Sequence, residues 1–130
     1  MERFLPVLST IQKRLREILS RNEDYMSSWD LVKIDGTGEE LIRLARDTYP
    51  QLVEVEHRIL FQSLREAGLG IKFRVAEIQR GKLKEEDKVY FKSVHEALVE
   101  ICEKIETGEY YRALLEIAAR RGKKSHPSNQ

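Results

Sequence analysis

The chain has 130 residues, 41% hydrophobic and 35% charged, with 23 Lys and Arg against 22 Asp and Glu for a net charge of +1. That length suits one core, and the even balance excludes a globally basic nucleic-acid coat or an acidic tail protein. No apolar run approaches the roughly 18–20 residues of a membrane span, no secretion signal is read, and the lone Cys102 excludes an internal disulfide, so a soluble, cytoplasmic protein is expected.

Leu8, Ile11, Leu15, Ile18 and Leu19 recur at three- and four-residue spacing and predict a first helix over about residues 3–21. Pro6 fits its first turn, where no backbone N–H is needed. From Asn22 to Gly38 the period is lost among Ser27, Ser28, Asp30, Asp35, Gly36 and Gly38. A loop is expected there, with Trp29, Leu31 and Ile34 tucked beneath it. A second helix opens after Thr37 on Leu41, Leu44 and Ala45, and Pro50 breaks or restarts it. Leu52, Val55, Ile59, Leu60 and Leu64 carry the next stripe to a hinge at Gly68-Leu69-Gly70. A shorter helix on Ile71, Val75 and Ile78 follows and stops at Gly81.

The longest helix is expected over about residues 85–106, with Tyr90, Val94, Ala97, Leu98, Ile101, Cys102 and Ile105 inward. Glu85, Glu86 and Asp87 put negative charge in its first turn, where the helix dipole favours it. Thr107 caps a last helix that buries Tyr111, Leu114, Leu115 and Ala118 and ends at Gly122. No strand-length alternation occurs. The expected fold is an all-α compact bundle of five or six helices, with residues 1–122 as a single helical domain and 123–130 as a mobile basic tail. Leu15, Leu19, Leu60, Leu64, Leu98 and Ile101 are its expected core.

Charge alternates in blocks. Residues 1–21 carry five positive against two negative charges, 22–60 four against nine, 61–92 eight against five, and 93–119 two against six. Such blocks suit self-assembly or a charged partner. The heavy use of Glu, Lys and Arg with scarce Asn fits the usage of proteins from hot environments, so a thermophilic source is expected.

Few residues suggest catalysis, and no enzyme is expected. Glu54 and His57 form a Glu-x-x-His pair, but a di-metal bundle site needs a second such pair, and the residues before His95 do not supply it. Arg121 and His126 have the Arg-x4-His spacing of the helical HEPN ribonucleases, yet Gly122 and Pro127 bracket them. Cys102 sits among apolar neighbours and reads as a small hydrophobe. Gly36-Thr37-Gly38 is too short for a phosphate loop, and two glutamates follow it. Glu96, Glu100 and Glu103 read as a solvated helix face. Neither a cofactor nor a metal is expected.

The suggestive charged set is Lys84, Lys88 and Lys92, stacked on one helix face by four-residue spacing, with Arg80 and Lys82 just upstream. A row of cations can follow a phosphate backbone or meet an acidic partner. No aromatic row interleaves with the lysines, so stacking on single-stranded bases is not indicated and the acidic partner is favoured.

The stretch from Ile71 to Gly81, then Leu83-Lys-Glu-Glu-Asp87 and residues 90–98, resembles the helical domain of archaeal and eukaryotic GINS replication proteins. Asp47-Thr-Tyr49 is similar to that family's Asp-Phe-Tyr element, and Leu15-Arg-Glu-Ile-Leu19 to its opening helix. Lys84 departs from the pattern where the family often has a capping Thr or Ser, and the small β domain of GINS subunits has no counterpart. The resemblance implies a structural subunit of the replicative helicase assembly, a homo- or hetero-oligomer that bridges MCM and a RecJ-like protein without catalysis of its own. The alternative is a similarity to the small helical subunits of type I or type III CRISPR effector complexes, which grip a nucleic-acid backbone.

Overall fold

The computed structural model describes residues 4–51 and 57–124. Five helices follow in order: α1 (Phe4–Ser27), α2 (Leu31–Thr48), α3 (His57–Ile78), α4 (Glu85–Thr107) and α5 (Glu109–Lys124), with one 3-10 turn at Tyr49–Gln51. There is no strand among the described residues, and no described helix is long and apolar enough to cross a membrane. The chain is an all-α bundle. The packing of α2 on α3 is the most extensive; α1 lies against both α2 and α4, and α5 rests on α4.

The apolar stripe of α1 buries Ile11, Leu15, Ile18 and Leu19 in one core with Ile34, Leu41 and Leu44 of α2, Leu60 and Leu64 of α3, and Leu98 and Cys102 of α4. Five of the six expected core residues are buried, and Ile101 is half-buried. The stripe does not stop at Arg21. Asn22 continues it and is buried, because its amide meets Thr37 and His95 inside the bundle.

The expected loop over 22–38 is therefore corrected. Helix α1 runs to Ser27, only Ser28, Trp29 and Asp30 lie between helices, and α2 starts at Leu31. The turn is a Schellman motif: Asp30 N–H donates to the Tyr25 carbonyl at 3.0 Å and Trp29 N–H to that of Met26 at 3.2 Å. Asp30 then caps α2, its carboxylate accepting from the Lys33 N–H at 3.2 Å. Gly36 and Gly38, taken as turn formers, lie within the helix. Gly38 faces Gly68, and the missing side chains let α2 and α3 approach closely.

The same contact removes the expected hinge at Gly68-Leu69-Gly70, since α3 runs unbroken from His57 to Ile78. Gly70 instead makes room for the hydroxyl of Tyr90 on α4. Pro50 sits in the 3-10 turn that ends α2, while Leu52 and Val55 lie outside the described residues.

At the α3–α4 corner Asp87 has two tasks. One carboxylate oxygen accepts the Lys84 N–H at 2.9 Å, and the other faces Arg74 Nε at 3.2 Å. The Arg74 guanidinium lies 4.6 Å from the Tyr90 ring centre. The fully inward face of α4 is Asp87, Phe91, His95, Leu98 and Cys102, rotated from the expected one. Tyr90, Val94, Ile101 and Ile105 flank it half-buried, and Ala97 is exposed. Gly108 ends α4 in the left-handed conformation, with φ of +82°. Helix α5 buries Leu114, leaves Leu115 exposed, and passes Gly122 to reach Lys124. Lys123 and Lys124 are thus helical in backbone, and the rest of the expected tail, 125–130, lies outside the described residues.

The charge blocks meet one another within the chain. Arg14 pairs with Asp47 at 3.4 Å, Arg21 with Glu40 at 2.6 Å and Arg16 with Glu106 at 2.6 Å, tying the basic first block to both acidic ones. Lys72 reaches Glu39 at 2.7 Å and Asp35 at 3.4 Å. Block alternation thus has an internal use as cross-helix pairing.

Candidate functional site

The five cations singled out in sequence divide into two groups. Arg80 and Lys82 lie in the connection between α3 and α4. With Lys84 they line a cleft of about 250 Å³ that also includes Arg74 and the acids Glu77, Glu86 and Asp87. Lys88 and Lys92 lie further along α4 and converge on a residue from elsewhere in the chain. Their ammonium nitrogens stand 5.6 and 5.8 Å from the ring centre of Trp29. Lys88 also pairs weakly with Glu85 at 3.9 Å. No ion pair joins Arg80, Lys82, Lys84 or Lys92 to another described acid.

Local structure explains why Trp29 is there. It occupies the left-handed position that ends α1, with φ of +51°, the only described non-glycine residue at positive φ. Glycine is usual at that place, and a residue with a Cβ costs roughly 1–2 kcal/mol there. The indole offsets this by packing: its ring centre lies 6.2 Å from that of Phe91, and the side chain is only half-buried. A second cation–aromatic pair adjoins it, with the Lys33 ammonium 5.7 Å from the Tyr25 ring centre.

Beside Trp29 a groove of about 380 Å³ is lined by Glu23, Met26, Ser27, Trp29, Lys92 and His95. A chain of buried polar groups ends there. The Thr37 hydroxyl donates to Asn22 Oδ1 at 2.8 Å, which orients the Asn22 amide so that its Nδ2 faces His95 Nδ1 at 3.1 Å. An amide N–H donor at Nδ1 makes that nitrogen the acceptor and leaves the ring proton on Nε2. His95 is 7% exposed, and its Nε2 is buried without a hydrogen-bond partner. The nearest carboxylate oxygen, on the largely exposed Glu23, stands 3.7 Å away, too far for a hydrogen bond.

The other sequence candidates fall elsewhere. Cys102 is fully buried, and burial pushes its thiol up to about 11, so almost no thiolate exists near neutral pH. Glu96, Glu100 and Glu103 face solvent, as expected, and Glu100 pairs along the helix with Lys104 at 3.1 Å. Gly36-Thr37-Gly38 is helical and forms no phosphate loop. Glu54 lies outside the described residues and His57 opens α3; Arg121 lies on α5, and His126 is outside the described residues. No group of three or more His, Cys, Asp or Glu is placed to hold a metal among the described residues.

Trp29, Asn22 and His95 are the residues the sequence reading missed. Asn22 carried a signal, since it continues the three-four spacing of Leu15, Ile18 and Leu19. His95 carried one too, four residues after Phe91 and three before Leu98. Trp29 carried none in its neighbourhood, because the lysines it joins lie on a different helix. Compared with protein-family models, with curated proteins and with solved structures, the chain gives no match.

Proposed function

We propose that the chain is a non-enzymatic binding subunit whose cationic face, from Arg80 and Lys82 through Lys84 to Lys88 and Lys92, grips the phosphate backbone of a nucleic acid. The observation that carries this reading is the placement of Trp29 against Lys88 and Lys92. An aromatic platform beside Lys92, which has no ion pair to a described acid, and Lys88, held only by a 3.9 Å contact to Glu85, suits a polyanion with bases better than an acidic peptide, which gives a half-exposed indole little to stack on. This is the class of function of the small helical subunits of CRISPR-type nucleoprotein complexes. The test is the binding of labelled single-stranded RNA and DNA to the wild-type chain and to the Lys84→Glu, Lys88→Glu, Lys92→Glu triple variant. The triple variant should bind every sequence more weakly and to a similar degree, since phosphate contacts carry no sequence information. Unaltered binding, or none by the wild type, would overturn the reading.

A second reading is a GINS-like structural subunit of a replicative helicase assembly, oligomeric and joined to MCM and RecJ-like proteins. Its support is the local sequence resemblance together with apolar side chains left in solvent, Val32 at 76% and Phe73 at 69% exposure foremost. Co-purification separates the two, because this subunit should bring down MCM or a GINS partner and a nucleoprotein subunit should bring down RNA.

A further inference from the structure

We propose that the groove between Trp29, His95 and Glu23 receives an unpaired base of a single-stranded nucleic acid, which stacks on the Trp29 indole and accepts a hydrogen bond from His95 Nε2–H. The inference rests on the nucleic-acid reading above and adds to it a site, a strand state and two residues outside the lysine row.

Three observations converge. First, the half-buried indole is held at a strained backbone position, with φ of +51°, where glycine would sit without cost. Second, His95 Nε2 is a donor with no partner, which is unfavourable, and it lies closed within the groove wall, so an incoming base reaches it by a small shift of the exposed Glu23 side chain beside it. Its ring is fixed from behind by Asn22, itself fixed by Thr37, so the donor cannot turn away to find another acceptor without breaking that chain. Third, the groove holds an acceptor next to this donor, since Glu23 Oε1 lies 3.7 Å from Nε2.

Each unpaired base presents acceptors and N–H donors side by side on its edge, which matches a donor and an acceptor set next to each other. The site therefore selects an exposed base edge rather than one particular base. In a duplex these edges are paired and the faces are covered by stacking, so a duplex can contact only the lysines. Lys88 and Lys92, over the same indole, are placed to meet the phosphates flanking the inserted base.

The chain contains one tryptophan, so its emission reports on this groove alone. The experiment titrates the full chain with a short oligothymidylate, with a duplex of equal length and with inorganic polyphosphate, following both tryptophan emission and binding. The single strand should quench the emission saturably, whereas the duplex and polyphosphate should bind with little quenching. Trp29→Gly removes the platform while keeping the residue that the turn prefers. It should weaken single-strand binding about 5- to 150-fold, the range spanned by one stacked base, and leave polyphosphate binding unchanged.

His95→Asn and His95→Gln form the second pair of variants. Asn can keep the link to Asn22 but cannot reach the groove, and Gln carries an amide donor toward the Nε2 position. Asn should weaken single-strand binding about 3- to 10-fold, and Gln should recover part of that loss. Equal quenching by polyphosphate and single strand, or single-strand affinity unmoved by Trp29→Gly, would overturn the base pocket while leaving backbone binding by the lysines intact. Absence of binding to all three probes would overturn both.

Discussion

The carbonyl oxygen of Gly68 on α3 lies 2.8 Å from where a Cβ on Gly38 of α2 would stand, and the carbonyl of Gly38 lies 2.6 Å from the same position on Gly68. Two helix backbones meet at these glycines, and neither oxygen can move aside without moving a helix. Gly38→Ala or Gly68→Ala should therefore destabilise the fold by about 1–3 kcal/mol in urea titration. Gly36, two residues earlier on α2, has nothing within 4 Å of such an atom. Gly36→Ala should stabilise the protein by up to about 1 kcal/mol, because alanine is the better helix former. Opposite signs from one helix are the outcome that supports the close crossing; equal effects would contradict it.

The register of α4 makes a second contrast. Leu98 is buried at 3% exposure, and Leu98→Ala should cost roughly 2–5 kcal/mol. Its neighbour Ala97 is exposed, so Ala97→Glu should change stability by no more than about 0.5 kcal/mol. A large loss from Ala97→Glu, measured in the same denaturant series, would place the inward face elsewhere.

Cys102 offers a probe of opening. With its thiol fully buried and pushed up to about 11 by that burial, it should react with an alkylating or aromatic disulfide reagent at pH 8 only as the bundle opens. Labelling should accelerate as denaturant is added and follow the loss of helix seen by circular dichroism. Rapid labelling of the native protein would show that the α1–α4 interface is not closed around Cys102.

Acid should weaken the bundle through two carboxylates. The hydrogen bond from Arg16 holds Glu106 below its ordinary value of 4.5, and the one from Lys72 does the same for Glu39. In each case the folded-state value lies below the unfolded one. Their stabilisation is thus fully present above about pH 4.5 and is lost as pH falls through the lower folded values. Thermal melts between pH 7 and pH 3 should show the midpoint falling below about pH 4.5, and Glu106→Gln should reduce that fall. An unchanged pH profile in Glu106→Gln would contradict the assignment of the Arg16–Glu106 pair.

Much of the fold was legible because burial leaves a period: Leu8, Ile11, Leu15, Leu60 and Leu64 stood where the core has them. The glycines were not legible, because Gly38 and Gly68 are small on account of each other. Close approach between helices is a long-range fact, and local sequence offers only the flexibility that glycine also has. The inward face of α4 was misjudged for a related reason. Val94 and Ala97 are more apolar than Asp87 and His95, but Asn22 and Thr37 make a buried place for His95, and Phe91 turns inward with it. In the candidate site the lysine row was readable from its four-residue spacing. Its aromatic partner was not, since only the α1–α2 turn brings Trp29 to α4.

The salt dependence of binding to a single-stranded oligonucleotide tests the central claim most directly. If Arg80, Lys82, Lys84, Lys88 and Lys92 each neutralise a phosphate, the logarithm of the binding constant should fall against the logarithm of salt concentration with a slope of about −3.5, near −0.7 per contact. Lys88→Glu alone should make that slope shallower by at least one contact, and the triple replacement should bring it to about −1.4 or shallower. A wild-type slope near zero, or a steep one that the triple replacement leaves unchanged, would contradict a phosphate-gripping face on α4.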